Sequence, residues 1–197
     1  MNIAVFASHG GTDMQAIADG CSQGKINAKV SVLICNNPDA FVVERAKKEG
    51  IPYYIVNNSV CGGPEGVSAR ILELMDEYSI DMIFLAGYMK KMPDEVLEKF
   101  DNRIFNIHPA LLPKYGGKGM YGINVHKAVI EAGEKESGVT IHRVNGHYDS
   151  GQIVRQTTVP VLEGDTADTL AARVLEREHE FLVEVISDIA DGRIPLK

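Results

Sequence analysis

Apolar residues fall in short continuous runs, separated by stretches with helical spacing. Ile3 to Ala7, Val30 to Cys35, Tyr53 to Val56 and Met82 to Ala86 are too short for buried helices and are rich in β-branched and aromatic residues, so each predicts a strand. Between them Met14, Ile17, Ala18 and Cys21 recur at helical intervals, and Ala40 to Glu49 reads as a helix stopped by Gly50. Cys61-Gly62-Gly63-Pro64 predicts a loop, Glu65 to Tyr78 the next helix, and Pro93 suits the first turn of a helix over Asp94 to Phe100. Strands buried on only one face would alternate polar and apolar positions. These do not, and strand–helix alternation then predicts an α/β fold: a parallel, doubly wound sheet with helices on both faces.

The second half continues the pattern. Ile104 to His108 predicts a fifth strand, followed by a loop carrying Gly116, Gly117, Gly119 and Gly122 and a helix from about Asn124 to Ala132. Val139 to Val144 and Ile153 to Val159 predict two more strands joined across Asn145 to Gly151. Thr166 to Asp188 predicts a long helix with Leu170, Val174, Leu175 and Leu182 on its apolar side. Neither a repeat nor a linker interrupts the order, so residues 1–197 are expected to form one domain.

Composition narrows the function. Apolar residues make up 45% of the chain and charged residues 24%, which suits a buried core and excludes a disordered chain. With 20 basic and 27 acidic residues the net charge is −7, so nucleic acid is not expected as a partner and any anion must be held by local groups. No apolar stretch approaches a membrane span, and Met1 to Ser8 reads as a strand without the basic start of a signal peptide. Cys21, Cys35 and Cys61 are odd in number and lack CxxC spacing, which argues against a disulfide framework or zinc and for a reducing cytoplasm.

Five segments carry chemistry. Ser8 to Asp13 follows the first strand and opens the first helix, so the amides of Gly11, Thr12 and Asp13 can face an anion; the spacing is neither GxGxxG nor Walker A, and an ordinary capped turn reads the same way. In Phe105-Asn106-Ile107-His108-Pro109, Asn106 and His108 share one strand face, and Pro109 ends the strand there. Ligands of open α/β sheets bind at the carboxyl ends of strands, where an amide donor and an imidazole can polarise a carbonyl and move a proton. Asn145 to Gly151 reads by default as a polar hairpin loop, with Asp149 a carboxylate able to raise the pKa of His108 if the two meet. Gly87 to Met92 combines close approach at Gly87, adaptable apolar surface at Met89 and Met92, and charge at Lys90 and Lys91, which suits an aromatic ligand bearing carboxylates or an ordinary connector. Arg177-Glu178-His179-Glu180 reads as a solvated helix face; His142, His147 and His179 form no metal-ligand pattern, and no metal is expected.

Taken together, Asn106-Ile107-His108-Pro109-Ala110-Leu111-Leu112-Pro113, Gly87-Tyr88-Met89 upstream and Asp149-Ser150-Gly151 downstream resemble the folate-dependent formyltransferases. Within them the resemblance runs nearly end to end with the branch acting on 5′-phosphoribosylglycinamide. Relatives acting on tRNA or hydrolysing formyltetrahydrofolate carry a further domain, for which this length leaves no room. The resemblance implies a Rossmann-like formyltransferase fold with an antiparallel edge, and transfer of a formyl group from 10-formyltetrahydrofolate, as co-substrate, to the glycyl amine of phosphoribosylglycinamide in purine synthesis. It implies catalytic roles for Asn106, His108 and Asp149, with a protonated His108 supported by Asp149. Gly11, Thr12, Asp13 and Glu178 fall on positions for the phosphorylated substrate. Met89, Lys90, Lys91, Met92, Asn106, Asn145, Gly146 and Asp149 fall on the folate pocket. Small-molecule partners, no membrane, and a monomer or weak homodimer complete the expectation. The chain departs from the family pattern at Asp13 (commonly Asn), at Lys90 (commonly Arg) and at Gly63-Pro64, where many members have a basic residue. An Asp13 that capped its helix and offered only its amide would keep its charge tolerable beside a phosphate.

Overall fold

A computed structural model describes residues 1–196. The apolar runs form β1 (Asn2–Ala7), β2 (Lys29–Cys35), β3 (Tyr53–Ile55) and β4 (Met82–Leu85), and β5 (Ile104–His108) joins them in parallel. β6 (Glu136–Arg143) and β7 (Ile153–Pro160) add an antiparallel edge, giving one seven-stranded sheet of order β3-β2-β1-β4-β5-β6-β7. The winding reverses between β1 and β4, and the crevice at such a reversal, outside the strands' carboxyl ends, is where open sheets take ligands.

Both sheet faces are covered. Val5, Ala7, Leu33, Phe84, Phe105, Ile107 and Ile141 pack on one side against α1 (Thr12–Ser22), α2 (Phe41–Glu49) and α7 (Ala167–Ala190). Ala4, Phe6, Ile34, Ile83, Leu85 and Ile104 pack on the other against α4 (Pro64–Glu77) and α5 (Asp94–Lys99). Along β5 and β6 this second face turns polar: Asn106 and His108 lie opposite His142 and Thr140.

Some boundaries differ from expectation. A one-turn helix, α3 (Asn58–Cys61), precedes the predicted loop, because the Asn57 side chain caps it by accepting the Val60 N–H. Strand β6 starts at Glu136, where Glu136 and Ser137 find partners in Pro160 and Val159 that the polar local sequence does not announce. The helix predicted near Asn124 is α6 (Ile123–Glu131). Leu175, expected on the buried side of α7, is 40% exposed.

Candidate active site

A cleft of about 660 Å³ opens at the carboxyl ends of β4 and β5. It brings together Asn106 and His108 from β5, His142 from β6, Asp149 from the β6–β7 loop, the segment Gly87–Met92 after β4, Asp13 from α1 and Glu178 from α7. Loop anchoring sets its shape: the Ser8 hydroxyl donates to Asn36 Oδ1 at 2.5 Å and accepts the Met89 N–H at 2.8 Å, tying the segments after β1, β2 and β4 together.

Strand alternation puts Asn106 and His108 on one face, as expected, and the β6–β7 loop returns Asp149 to them. Asp149 Oδ2 lies 3.7 Å from His108 Nδ1, and Oδ1 lies 3.5 Å from Asn106 Nδ2. The Gly117 N–H donates to Asp149 Oδ2 at 2.9 Å. Asp149 sits at φ 51, a left-handed conformation that costs a non-glycine residue on the order of 1 kcal/mol and is a feature of functional loops. Burial pushes its carboxyl up, but the polar groups around it, the Gly117 amide among them, outweigh burial and leave the pKa below the ordinary carboxylate value.

At His108 burial opposes the expected effect of Asp149. Its ring is 3% exposed, and Nε2 donates to the Tyr115 carbonyl at 2.8 Å. Burial pulls its pKa below the ordinary imidazole value, and the opposing pull of Asp149 is smaller. Asp149 therefore acts on His108 in the expected direction, with Nδ1 turned toward the carboxylate, but burial acts more strongly against the charged ring.

The Gly-rich turn is shaped by packing as well as by its amides. Gly11 is the N-cap of α1 at φ 73, and a Cβ on it would lie 2.2 Å from Val42 Cγ2, so its missing side chain serves the packing of α1 against α2. Among the described residues no acceptor takes the amides of Thr12 and Asp13, which leaves them open to an anion. Asp13 does not cap the helix. Its carboxylate is buried, with Oδ1 3.5 Å from His179 Nε2. Gly11 and Thr12 stand beside the cleft; Asp13 lines it.

Glu178 corrects the reading of the 177–180 run as a solvated face. It is 7% exposed, one helical repeat from Val174 and from Leu182 in the buried stripe of α7. Burial, and then the neighbouring Asp13 carboxylate, hold its pKa well above the ordinary value. Arg177, by contrast, is engaged outside the cleft with Glu180 and Glu184.

The expected folate residues Met89, Lys90, Lys91, Met92, Asn145 and Gly146 all line the cleft, with Tyr88 and Val144 adding apolar wall. Such a volume, mostly apolar with a few convergent polar groups, suits a small-molecule ligand. Gly63 and Pro64 begin α4, outside the lining. Sequence reasoning missed His142, His126 and the Gly117 amide. Thr140-Ile141-His142 carries the same polar alternation in a buried strand that singled out Asn106 and His108, so the signal for His142 was present. Among the described residues no cluster of three or more His, Cys, Asp or Glu is arranged to hold a metal.

Residues 1–186 match the family described as Formyl transferase. The chain is 45% identical over 193 residues to the chloroplastic phosphoribosylglycinamide formyltransferase of Arabidopsis thaliana, covering 98% of this chain and 66% of that protein, just under two thirds of its length. It is 36% identical over 196 residues to the phosphoribosylglycinamide formyltransferase of Escherichia coli, covering 100% of this chain and 90% of that one. The solved glycinamide ribonucleotide transformylase 1 of Symbiobacterium toebii superposes with a TM-score of 0.90 at 38% identity, over 98% of this chain and 89% of that one.

Proposed function

The chain belongs to the formyl transferase family, and we propose that within it this protein moves the formyl group of 10-formyltetrahydrofolate onto the glycyl amine of 5′-phosphoribosylglycinamide, a step of purine synthesis. The observation that carries the reading is the meeting of Asn106, His108 and Asp149 in one cleft with the open amide end of α1 and the buried Glu178. The named relatives at 36% and 45% identity support the choice of substrates.

Bound 10-formyltetrahydrofolate supplies an activated formyl carbon. The C–N bond to the incoming amine forms, the bond to the folate nitrogen breaks, and one proton passes from the first nitrogen to the second. The Asn106 side-chain N–H stabilises the negative charge that develops on the formyl oxygen. His108 rests neutral with Nδ1 open, so it can take up a proton as that charge builds, and Asp149 stabilises the imidazolium that results. The Thr12 and Asp13 amides, at the positive end of α1, receive the substrate phosphate. Glu178 contacts the glycinamide part, and Met89 to Met92 with Asn145 and Gly146 line the folate pocket.

One seven-stranded sheet, with the helices and loops that flank it supplying every group of the site, supports a single catalytic domain. Three unpaired cysteines support a reducing, cytoplasmic setting, and we take the working form to be a monomer or weak homodimer. The test mixes the protein with 10-formyltetrahydrofolate, with and without phosphoribosylglycinamide, and follows folate absorbance. Folate product should form only when the amine substrate is present. Product without it makes the protein a hydrolase, and no product in either mixture overturns the assignment.

A further inference from the structure

The geometry assigns His142 as the positioning residue that fixes the amide of Asn106, and this rests on the reading of Asn106 as the donor to the formyl oxygen. His142 lies directly across the β5–β6 ladder from Asn106 and is 2% exposed. Its Nδ1 is 2.9 Å from the Arg143 carbonyl oxygen. A carbonyl oxygen only accepts, so Nδ1 carries the hydrogen, and in the neutral ring Nε2 is left with a lone pair. Asn106 Nδ2 is 3.0 Å from that lone pair and donates to it.

The alternative amide orientation is disfavoured twice over. It would turn Asn106 Oδ1 toward the Nε2 lone pair and toward Asp149 Oδ1, which stands 3.5 Å from Nδ2 and 3.5 Å from His142 Nε2. Three acceptors would then face one another in a buried site. With the nitrogen held by His142, one amide hydrogen is spent on the ring and the other remains on the side of Asp149, in the cleft where the reacting carbonyl must lie. The Arg143 carbonyl thus sets the His142 tautomer, the tautomer sets the Asn106 amide, and the donor is in place before substrate arrives.

Two substitutions separate this role from a merely structural one. In His142→Asn the amide nitrogen can replace Nδ1–H on the Arg143 carbonyl, but nothing replaces Nε2. In His142→Gln the amide oxygen reaches the Nε2 position and accepts from Asn106, while the Arg143 bond is lost. Positioning predicts that His142→Asn lowers kcat about tenfold or more at nearly unchanged KM for both substrates, and that His142→Gln recovers most of the loss. A residue that only braces β6 gives the reverse order, which overturns the proposal. In an Asn106→Ala background His142→Asn should cost nothing further; a full additional loss there also overturns it. A wild-type protein inactive with both substrates would overturn the functional reading instead. The positioning claim then stands or falls on ¹⁵N NMR of the His142 ring, which must show hydrogen on Nδ1 and a bare Nε2; the opposite tautomer refutes it.

Discussion

Replacing Gly11 with alanine separates the two jobs that a Gly-rich turn can do. Alanine at φ 73 costs about 1–2 kcal/mol in backbone strain alone. The new Cβ would stand 2.2 Å from Val42 Cγ2, 2.6 Å from Val42 Cβ and 3.0 Å from Val42 Cα. The last is a backbone atom of α2, so a rotamer change cannot relieve the contact, and overpacking of this kind adds about 1–3 kcal/mol. The sum is about 2–5 kcal/mol. For a chain of this size that lowers the melting temperature by on the order of 5–15 °C. Thermal unfolding followed by circular dichroism measures it, with Gly10→Ala as control: a Cβ there meets nothing within 4 Å, and the change should stay within about 0.5 kcal/mol. Adding Val42→Ala removes the 2.2 Å contact, so the double variant should be more stable than the sum of the single losses predicts. If Gly11→Ala melts together with Gly10→Ala, the packing argument is wrong. Until that is measured, weaker phosphoribosylglycinamide binding in a Gly11 variant does not by itself identify a phosphate contact.

Three further outcomes are expected. His108→Ala and Asp149→Asn should each lower kcat by roughly a hundredfold or more in protein that still folds; a folded variant with wild-type turnover removes its residue from the mechanism. Activity should fall on acidification as His108 gains its proton before the reaction and loses its capacity to accept one; because its pKa lies below the ordinary value, the fall comes on the acid side of about pH 6.5, and a flat profile from about pH 8 to about pH 5 contradicts the neutral resting ring. Glu178 has a folded pKa above its unfolded value, so the folded state binds the extra proton and this residue's contribution to stability is lost as pH rises through the folded pKa. Glu178→Gln should therefore gain on the wild type between about pH 5 and about pH 8 in urea unfolding, and an equal difference at both values rules out a buried, like-charge-strained carboxyl.

The strand framework is legible in the order of the residues. Continuous apolar runs identify β1 to β4 because a strand covered on both faces has no polar side to show, and the polar alternation of Asn106 and His108 in β5 marks the strand face that becomes the site. The resemblance carried by Asn106, His108 and Asp149 pointed to the family that residues 1–186 match. Features that depend on neighbours remote in the chain come from the folded packing. The approach of Asp149 to His108 requires the path of the β6–β7 loop, and the pairing of Asn106 with His142 requires the β5–β6 register; neither leaves a periodicity in the local sequence. The charge of Glu178 reads as solvated although the residue holds a place in the Val174–Leu182 stripe, and the Asp13 carboxylate faces it only once α1 packs on α7. The resting state of His108 belongs to the same class. A carboxylate nearby raises an imidazole pKa, burial lowers it, and residue identities carry the first effect but not the second, because the cost of removing a charge from water is set by the depth to which the whole chain buries the ring.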